Sequence, residues 1–202
     1  YQGVENVRNI AIAANDLGVE VLTVFAFSTE NWKRPQSEVD ALMKLLRKYM
    51  IDSLERTAKN NMRVRVIGDK TGLSEDIQKS IADVETASAG NTGLNFTIAI
   101  NYGSRDEICR AVKKIVAEGI APEDITEQVI SDHLDTAGIP DPDLLIRTSG
   151  ELRLSNYLMW QLAYTEFYFT DVPWPDFNKA ELEKAIEKYN GRDRRYGGVK
   201  EE

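Results

Sequence analysis

Short apolar runs of strand character alternate with stretches of helical periodicity along this 202-residue chain, and that alternation limits the folds open to it. Val4 to Leu17 spaces its apolar residues as a helix does and is closed by Gly18; Val19 to Phe27 follows as a strand. Ser37 is placed to cap a long helix in which Val39, Leu42, Met43, Leu46, Met50 and Leu54 recur at three and four. Arg63 to Ile67 alternates as a strand, Ser74 opens a helix to about Ser88, and Leu94 to Ile100 is a strand leading to a helix over Asp106 to Glu118. Pro122 to Leu134 reads as helical, Leu144 to Ile146 as strand, and Ser155 to Leu162 as a short helix. Glu166 to Phe169 reads as strand and Asn178 to Tyr189 as a closing helix. Strand–helix alternation predicts an α/β fold, a largely parallel central β-sheet flanked by helices on both faces. No repeat, linker or low-complexity tract interrupts it, so residues 1–202 read as a single domain.

Charge narrows the partners. A net charge of −8 argues against nucleic acid, whose phosphate backbone needs a positive footprint, and against a polybasic membrane anchor. The single cysteine, Cys109, excludes an internal disulfide, fits a reducing, cytoplasmic setting and falls in a helical apolar pattern that predicts core packing. The single histidine, His133, removes any multi-histidine metal site and reads as structural or surface. There is no dinucleotide fingerprint, Walker loop or nucleophile elbow.

The chemistry is concentrated where the strand-like runs end. After Ile146 come Arg147-Thr148-Ser149-Gly150-Glu151-Leu152-Arg153-Leu154-Ser155-Asn156: two guanidinium forks, hydroxyls and a glycine, suited to phosphate oxygens and equally compatible with a solvated surface loop. Glu166 could supply a hard oxygen ligand for magnesium. Phe27 is followed by Ser28-Thr29-Glu30-Asn31-Trp32-Lys33-Arg34-Pro35, and Ile100 by Asn101-Tyr102-Gly103-Ser104-Arg105, repeating the pattern at the strand end where open α/β sheets bind ligands. Ser104 with Glu107 fits a capping box. The aromatic residues Trp160, Tyr164, Phe167, Tyr168, Phe169 and Trp174 are expected to pack the core and a subunit interface.

These segments, with Arg192-Asp193-Arg194-Arg195-Tyr196-Gly197-Gly198 at the far end, resemble the cis-prenyltransferase family, most closely its bacterial undecaprenyl diphosphate synthases, over essentially the whole chain. One family motif, Met-Asp-Gly-Asn-Gly-Arg-Trp-Ala, is not found; its aspartate is the principal catalytic and magnesium-binding residue of the relatives. The expectation is therefore a domain lacking its N-terminal strand and loop, about a fifth of a full protein, and inactive as it stands.

The resemblance implies a transferase of isoprenoid biosynthesis that condenses isopentenyl diphosphate with farnesyl diphosphate, using magnesium (Mg2+), to make undecaprenyl diphosphate as a cell-wall lipid carrier. It assigns Arg147, Arg153 and Ser155 to the isopentenyl diphosphate, Arg34 to the allylic diphosphate, and Ser28 and Asn31 to orienting the reacting carbons and moving the proton. Trp32 becomes a mobile lid on substrate, although a tryptophan closing the core edge fits as well. Glu166 becomes the magnesium ligand. Arg195 with Gly197 becomes a motif reaching the diphosphate site of a partner subunit in a homodimer; by charge alone it is a solvated basic tail. Leu42, Leu45, Leu46 and Met50 would wall a tunnel for the growing chain, whose lipid product brings peripheral membrane contact. Two other readings remain: a catalytically silent partner subunit, and a generic phosphate-binding module, which leaves Ser28 to Pro35 unexplained.

Overall fold

The computed structural model describes residues 2–192. Helix α1 (Gln2–Asp16) leads to strand β1 (Val21–Ser28), a 3-10 turn (Thr29–Lys33) and the long α2 (Gln36–Asn60). Strand β2 (Arg63–Ile67), α3 (Glu75–Ser88), β3 (Asn95–Tyr102) and α4 (Ser104–Ala117) follow. Then come α5 (Glu127–His133), β4 (Leu144–Arg147), β5 (Glu166–Phe169) and α6 (Lys179–Asn190). Every pairing described is parallel; helices make the crossovers of the first sheet, and a long non-helical segment makes the one from β4 to β5. The described strands form two sheets, β1-β3-β2 and β4-β5.

Strand periodicity divides the core. Phe96, Ile98 and Ile100 of β3 join Val24 and Phe27 of β1 and Val64 and Val66 of β2 in one cluster, with Ile10, Val39, Ile77, Ile81 and Leu182 from the helices. Ala99 faces the opposite way and packs with Tyr102, Tyr157, Leu158 and Leu162. Strict alternation would return Tyr102 to the face of Ile100. Asn101 prevents this by taking φ +49°, a left-handed conformation asparagine tolerates, at the strand's last step. At the other side of the molecule α1 is pinned to the segment before α6: the buried Asn6 donates its amide to the Trp174 and Phe177 carbonyls at 2.5 and 2.8 Å.

Several local expectations are corrected. Helix α2 begins one residue before Ser37, with the Pro35 carbonyl accepting from Glu38 and Val39. Ser104 is the first helical residue of α4, not its cap; Gly103 takes that place, and Glu107 turns inward to the Tyr102 hydroxyl instead of closing a capping box. Pro122 to Leu134 divides into a 3-10 turn and α5, because the Thr126 hydroxyl caps Val129 N–H and restarts the helix. Ser155 to Leu162 is not a helix: Ser155, Asn156 and Leu158 have φ of 52°, 60° and 43°. Cys109 is exposed rather than buried, on the outward side of α4. His133, read as structural or surface, is held between the Val129 carbonyl and Glu118. Among the aromatic residues assigned to core and interface, Trp160, Phe167, Tyr168 and Trp174 are half-buried, while Tyr164 and Phe169 face outward.

Beneath the β3 carboxyl end lies a polar network that apolar patterning cannot reveal. Tyr102 donates to the fully buried Glu107 at 2.5 Å, and Gln161 and the Asp135 N–H donate to the same carboxylate. Burial pushes the Glu107 carboxyl above its ordinary range. Asp135 differs: burial raises its pKa, but bidentate bonds from Arg110 at 2.7 Å, the Arg110 charge and the Gly68 N–H outweigh that and hold it below the usual carboxylate range. A depressed pKa stabilises the fold above the unfolded-state pKa of about 4, and the contribution is lost as pH falls through the folded value. Arg110→Met should thus cost about 3 kcal/mol at neutral pH by stranding the Asp135 carboxylate. Denaturant melts of the two proteins at stepped pH should draw together as pH falls below about 4 and converge only once it passes below the lowered folded-state value of Asp135, where the wild-type carboxyl is neutral too.

Candidate active site at the strand carboxyl ends

Parallel strands leave their carboxyl ends along one edge, and three polar segments meet there. The first is the 3-10 turn after β1. The Asn31 side-chain oxygen accepts from the Ser28 N–H at 2.9 Å, folding the turn back on the strand end. Trp32 sets its ring edge-on against Phe27 and donates its indole N–H to the Asn101 side-chain oxygen at 2.7 Å. It is 41% exposed, so the ring covers the core edge and still presents a face to solvent. Arg34 follows, exposed, 3.7 Å from Glu38.

The second segment is the β3–α4 junction. Gly103 is extended, so the residue is required for space and not for its backbone angles: a Cβ there would meet the Thr29 Oγ1 at 2.6 Å and the Asn156 Nδ2 at 2.7 Å. The third is the loop after β4. Arg147 ends the strand half-buried, its Nε enclosed and without a hydrogen-bond partner among the described residues. Arg153 is exposed and ion-paired with Glu151, and Ser155 is exposed with φ +52°. Asn156 ties the three together. Its backbone oxygen accepts from Ser104 N–H at 2.8 Å, its Oδ1 from Arg105 N–H at 2.9 Å, and its Nδ2 donates to Glu30 Oε1 at 2.8 Å. Partial burial raises the Glu30 pKa, but this donor and those of its own backbone, Ser28 and Thr29 outweigh it and hold the carboxyl below its ordinary range.

Behind β1 an apolar cavity of about 70 Å³ is walled by Val4 and Val7 of α1, Val24, Ala26 and Phe27 of β1, Ile98 of β3, and Leu42, Met43, Leu45, Leu46 and Tyr49 of α2. Leu42, Leu45 and Leu46 stand where the tunnel expectation put them. Met50 is fully buried in the core beyond this wall.

The other expected residues lie apart. Glu166 opens β5 beside Leu144, whereas Arg147 pairs with Phe169, so the two sit at opposite ends of a ladder about 10 Å long. Glu166 is engaged by Arg192, which also donates to the Phe167 carbonyl at 3.1 Å. Arg195 lies outside the described residues. Among the described residues no three acidic, histidine or cysteine side chains gather as a metal site, so those present do not fit a divalent ion by themselves. Sequence reasoning gave no role to Glu30, Asn101 or Asn156. All three lie inside the segments it singled out, but their partners are 126, 69 and 51 positions away, which no local pattern encodes.

Fold and site together define a parallel α/β protein that gathers cations, hydroxyls and amides at its strand ends beside an apolar cavity, a combination suited to ligands with an anionic head and an apolar tail. Residues 1–197 match the family model described as "Putative undecaprenyl diphosphate synthase". An isoprenyl transferase from Geobacillus kaustophilus is 52% identical, over 98% of this chain and 79% of the relative. One from Agrobacterium fabrum is also 52% identical, over 100% and 83%. Lavandulyl diphosphate synthase from Lavandula x intermedia, solved in complex with dimethylallyl diphosphate, superposes with a TM-score of 0.93 at 41% identity, covering 97% of this chain and 86% of that one. A probable undecaprenyl diphosphate synthase from Campylobacter jejuni gives 0.88 at 36% identity, covering 97% and 92%. The chain belongs to the undecaprenyl diphosphate synthase family, the cis-prenyltransferases. These relatives support prenyl-transferring activity; they do not favour the silent-subunit alternative and do not bear out the expectation of an inactive chain.

Gly103 makes a direct test of the convergence. Both atoms a Cβ would meet are side-chain ends that yield only by rotating, and for Asn156 that rotation breaks its bonds to Arg105 and Glu30, so Gly103→Ala should cost about 1–3 kcal/mol in a thermal melt. The same rotation displaces Thr29 and Asn156 from the site. Prenyl transfer should fall by about tenfold or more, since small misplacements at a reacting centre are costly.

Proposed function

We propose that the protein condenses isopentenyl diphosphate with an allylic diphosphate, farnesyl diphosphate, and repeats the addition to build a long cis-polyprenyl diphosphate, undecaprenyl diphosphate for cell-wall lipid carrier synthesis. The observation that carries the reading is the juxtaposition of cationic strand ends with an apolar cavity walled by β1 and α2. An isoprenoid tail gains about 25 cal/mol for each Å² removed from water, while its diphosphate needs charged and hydroxyl donors. Complex formation between the lavender relative and dimethylallyl diphosphate supports a substrate of this type.

In this reading Arg34 holds the allylic diphosphate, whose departure breaks the C–O bond and leaves an electrophilic allylic carbon. Arg147, Arg153 and Ser155 hold isopentenyl diphosphate so that its double bond attacks that carbon. Ser28 and Asn31 orient the reacting carbons and pass the proton, whose loss restores a double bond, towards an oxygen of the departing diphosphate. Trp32 closes over the substrates. Glu166, once released from Arg192, is the residue proposed to take part in holding magnesium, which would supply positive charge to a diphosphate and would need further ligands from the substrate itself; no step above depends on it. The protein works in the cytoplasm, touches membranes through its lipid product, and has no nucleic-acid partner. No helix among the described residues is long and apolar enough to cross a membrane.

Arg153 offers the first test. Its pair with Glu151 is exposed and contributes little, so a diphosphate can replace the carboxylate at small cost. Arg153→Ala should raise the KM for isopentenyl diphosphate far more than that for farnesyl diphosphate, a loss of about 2–4 kcal/mol in kcat/KM terms. Unchanged kinetics with isopentenyl diphosphate would remove Arg153 from the site.

Sharing of sites across a homodimer is tested by mixing inactive subunits. If Arg195 completes the neighbour's site, a mixed dimer of Arg195→Ala and Arg147→Ala chains has one site lacking both arginines and one lacking neither. Activity should then recover on subunit exchange. If Arg195 serves its own chain, each site lacks one arginine and activity stays low.

A further inference from the structure

We propose that Asn156 is a positioning residue that fixes the distance between the two diphosphate-holding segments by donating to Glu30. This deepens the prenyl-transfer reading and rests on it. Arg34, Ser28 and Asn31 belong to the turn after β1, and Arg147, Arg153 and Ser155 to the loop after β4. The two segments come from different sheets, and among the described residues no pairing joins β1 to β4. The bond from Asn156 Nδ2 to Glu30 Oε1 spans them directly at 2.8 Å.

Asn156 is itself immobilised. Ser104 and Arg105, the first two residues of α4, donate to its backbone and side-chain oxygens, and Gly103 leaves the space its Nδ2 occupies. Its φ of +60° is a conformation that asparagine and aspartate tolerate better than other side chains. If the residue only served the α4 N-terminus, aspartate would do as well or better, because a carboxylate caps and complements a helix dipole there. What aspartate lacks is a donor for Glu30. The amide is needed for the bond that crosses between the segments, and Glu30, exposed and with no core to pack, is fixed by what it accepts.

Asn156→Asp separates the two roles. It keeps the acceptor for Arg105 N–H and replaces the crossing bond with two facing carboxylates. Each diphosphate-holding segment stays intact, so the KM for each substrate should stay within about threefold while kcat falls on the order of 10²-fold, the signature of lost alignment. Adding Glu30→Gln places an amide donor opposite the new carboxylate and reverses the bond's direction. The double variant should recover most of the lost kcat. Amide hydrogen exchange across residues 28–34 should rise in Asn156→Asp and fall back in the double variant.

Wild-type kcat in a folded Asn156→Asp protein overturns the proposal, as does a folded double variant no better than the single one. Should Asn156→Asp fail to fold, Glu30→Ala removes the bond from the exposed side, and the same kcat loss is expected; an unchanged kcat there overturns the proposal too. If the wild-type protein transfers no prenyl group, the function proposed above fails, and the exchange measurement still decides whether Asn156 holds the turn.

Discussion

Three loops must converge on one edge of the sheet, and the space for that meeting is the residue-sized gap at Gly103. The parallel arrangement dictates that the ends of β1 and β3 emerge together, while the loop after β4 comes from the other sheet. It does not dictate that they touch. A side chain at Gly103 would occupy the positions of Thr29 Oγ1 and Asn156 Nδ2, and the turn after β1 would be held off the start of α4. A glycine with ordinary extended angles is thus a matter of volume. Gly68 adds a conformational demand: it adopts φ +114°, and a Cβ would lie 2.0 Å from the Ile100 carbonyl oxygen, closing β2's exit tightly against β3.

Rigidity under this edge comes from polar residues rather than from more apolar packing. Tyr102 follows Asn101, whose left-handed angle turns it into the second core cluster, and there its hydroxyl meets Glu107. Asn101 also accepts from Trp32 and donates to the Asp69 carbonyl. One asparagine therefore orients a buried tyrosine on one side and the ring beside the candidate site on the other. Arg110 and Asp135 extend the network to the Gly68 N–H, so the exit of β2 is fastened through an ion pair. Networks of this kind help only when their members find partners, since an unpaired buried charge costs more than a paired one returns.

Element type was legible in the sequence because hydrophobic periodicity reports burial directly; Phe96, Ile98 and Ile100 could not be read otherwise than as one face of a strand. Ser155 to Leu162 defeated the same reasoning. Its apolar spacing is real, and Tyr157, Leu158 and Leu162 are buried, but Asn156 gives its hydrogen-bonding groups to α4 and Glu30, and left-handed angles on either side break the helix. Cys109 failed for a simpler reason: apolar spacing marks a helix face, but a single small residue at its margin does not say which side of the boundary it takes. The strand-end location of Ser28, Asn31, Trp32 and Arg147 was legible from motif and topology together. The remoteness of Glu166 from Arg147 was not, because it follows from the register of a short ladder.

Under the proposed function an acidic chain has to concentrate its cations locally, and three of them stand beside carboxylates. Arg34 stands near Glu38, Arg153 pairs with Glu151, and Arg192 pairs with Glu166, all at the surface where such pairs contribute little to stability. In the proposed function Glu38 and Glu151 hold places that diphosphate oxygens would take with more charge. The exchange costs little in water and gains as a bound apolar tail excludes solvent, since the same charges interact more strongly in a lower dielectric. Arg147 departs from this pattern. Its half-buried guanidinium keeps an enclosed Nε without a partner among the described residues, a donor that a bound diphosphate would satisfy in the proposed function. Under the proposed function, Arg147→Lys should be harsher than its retained charge suggests, because an ammonium cannot reproduce the planar fork.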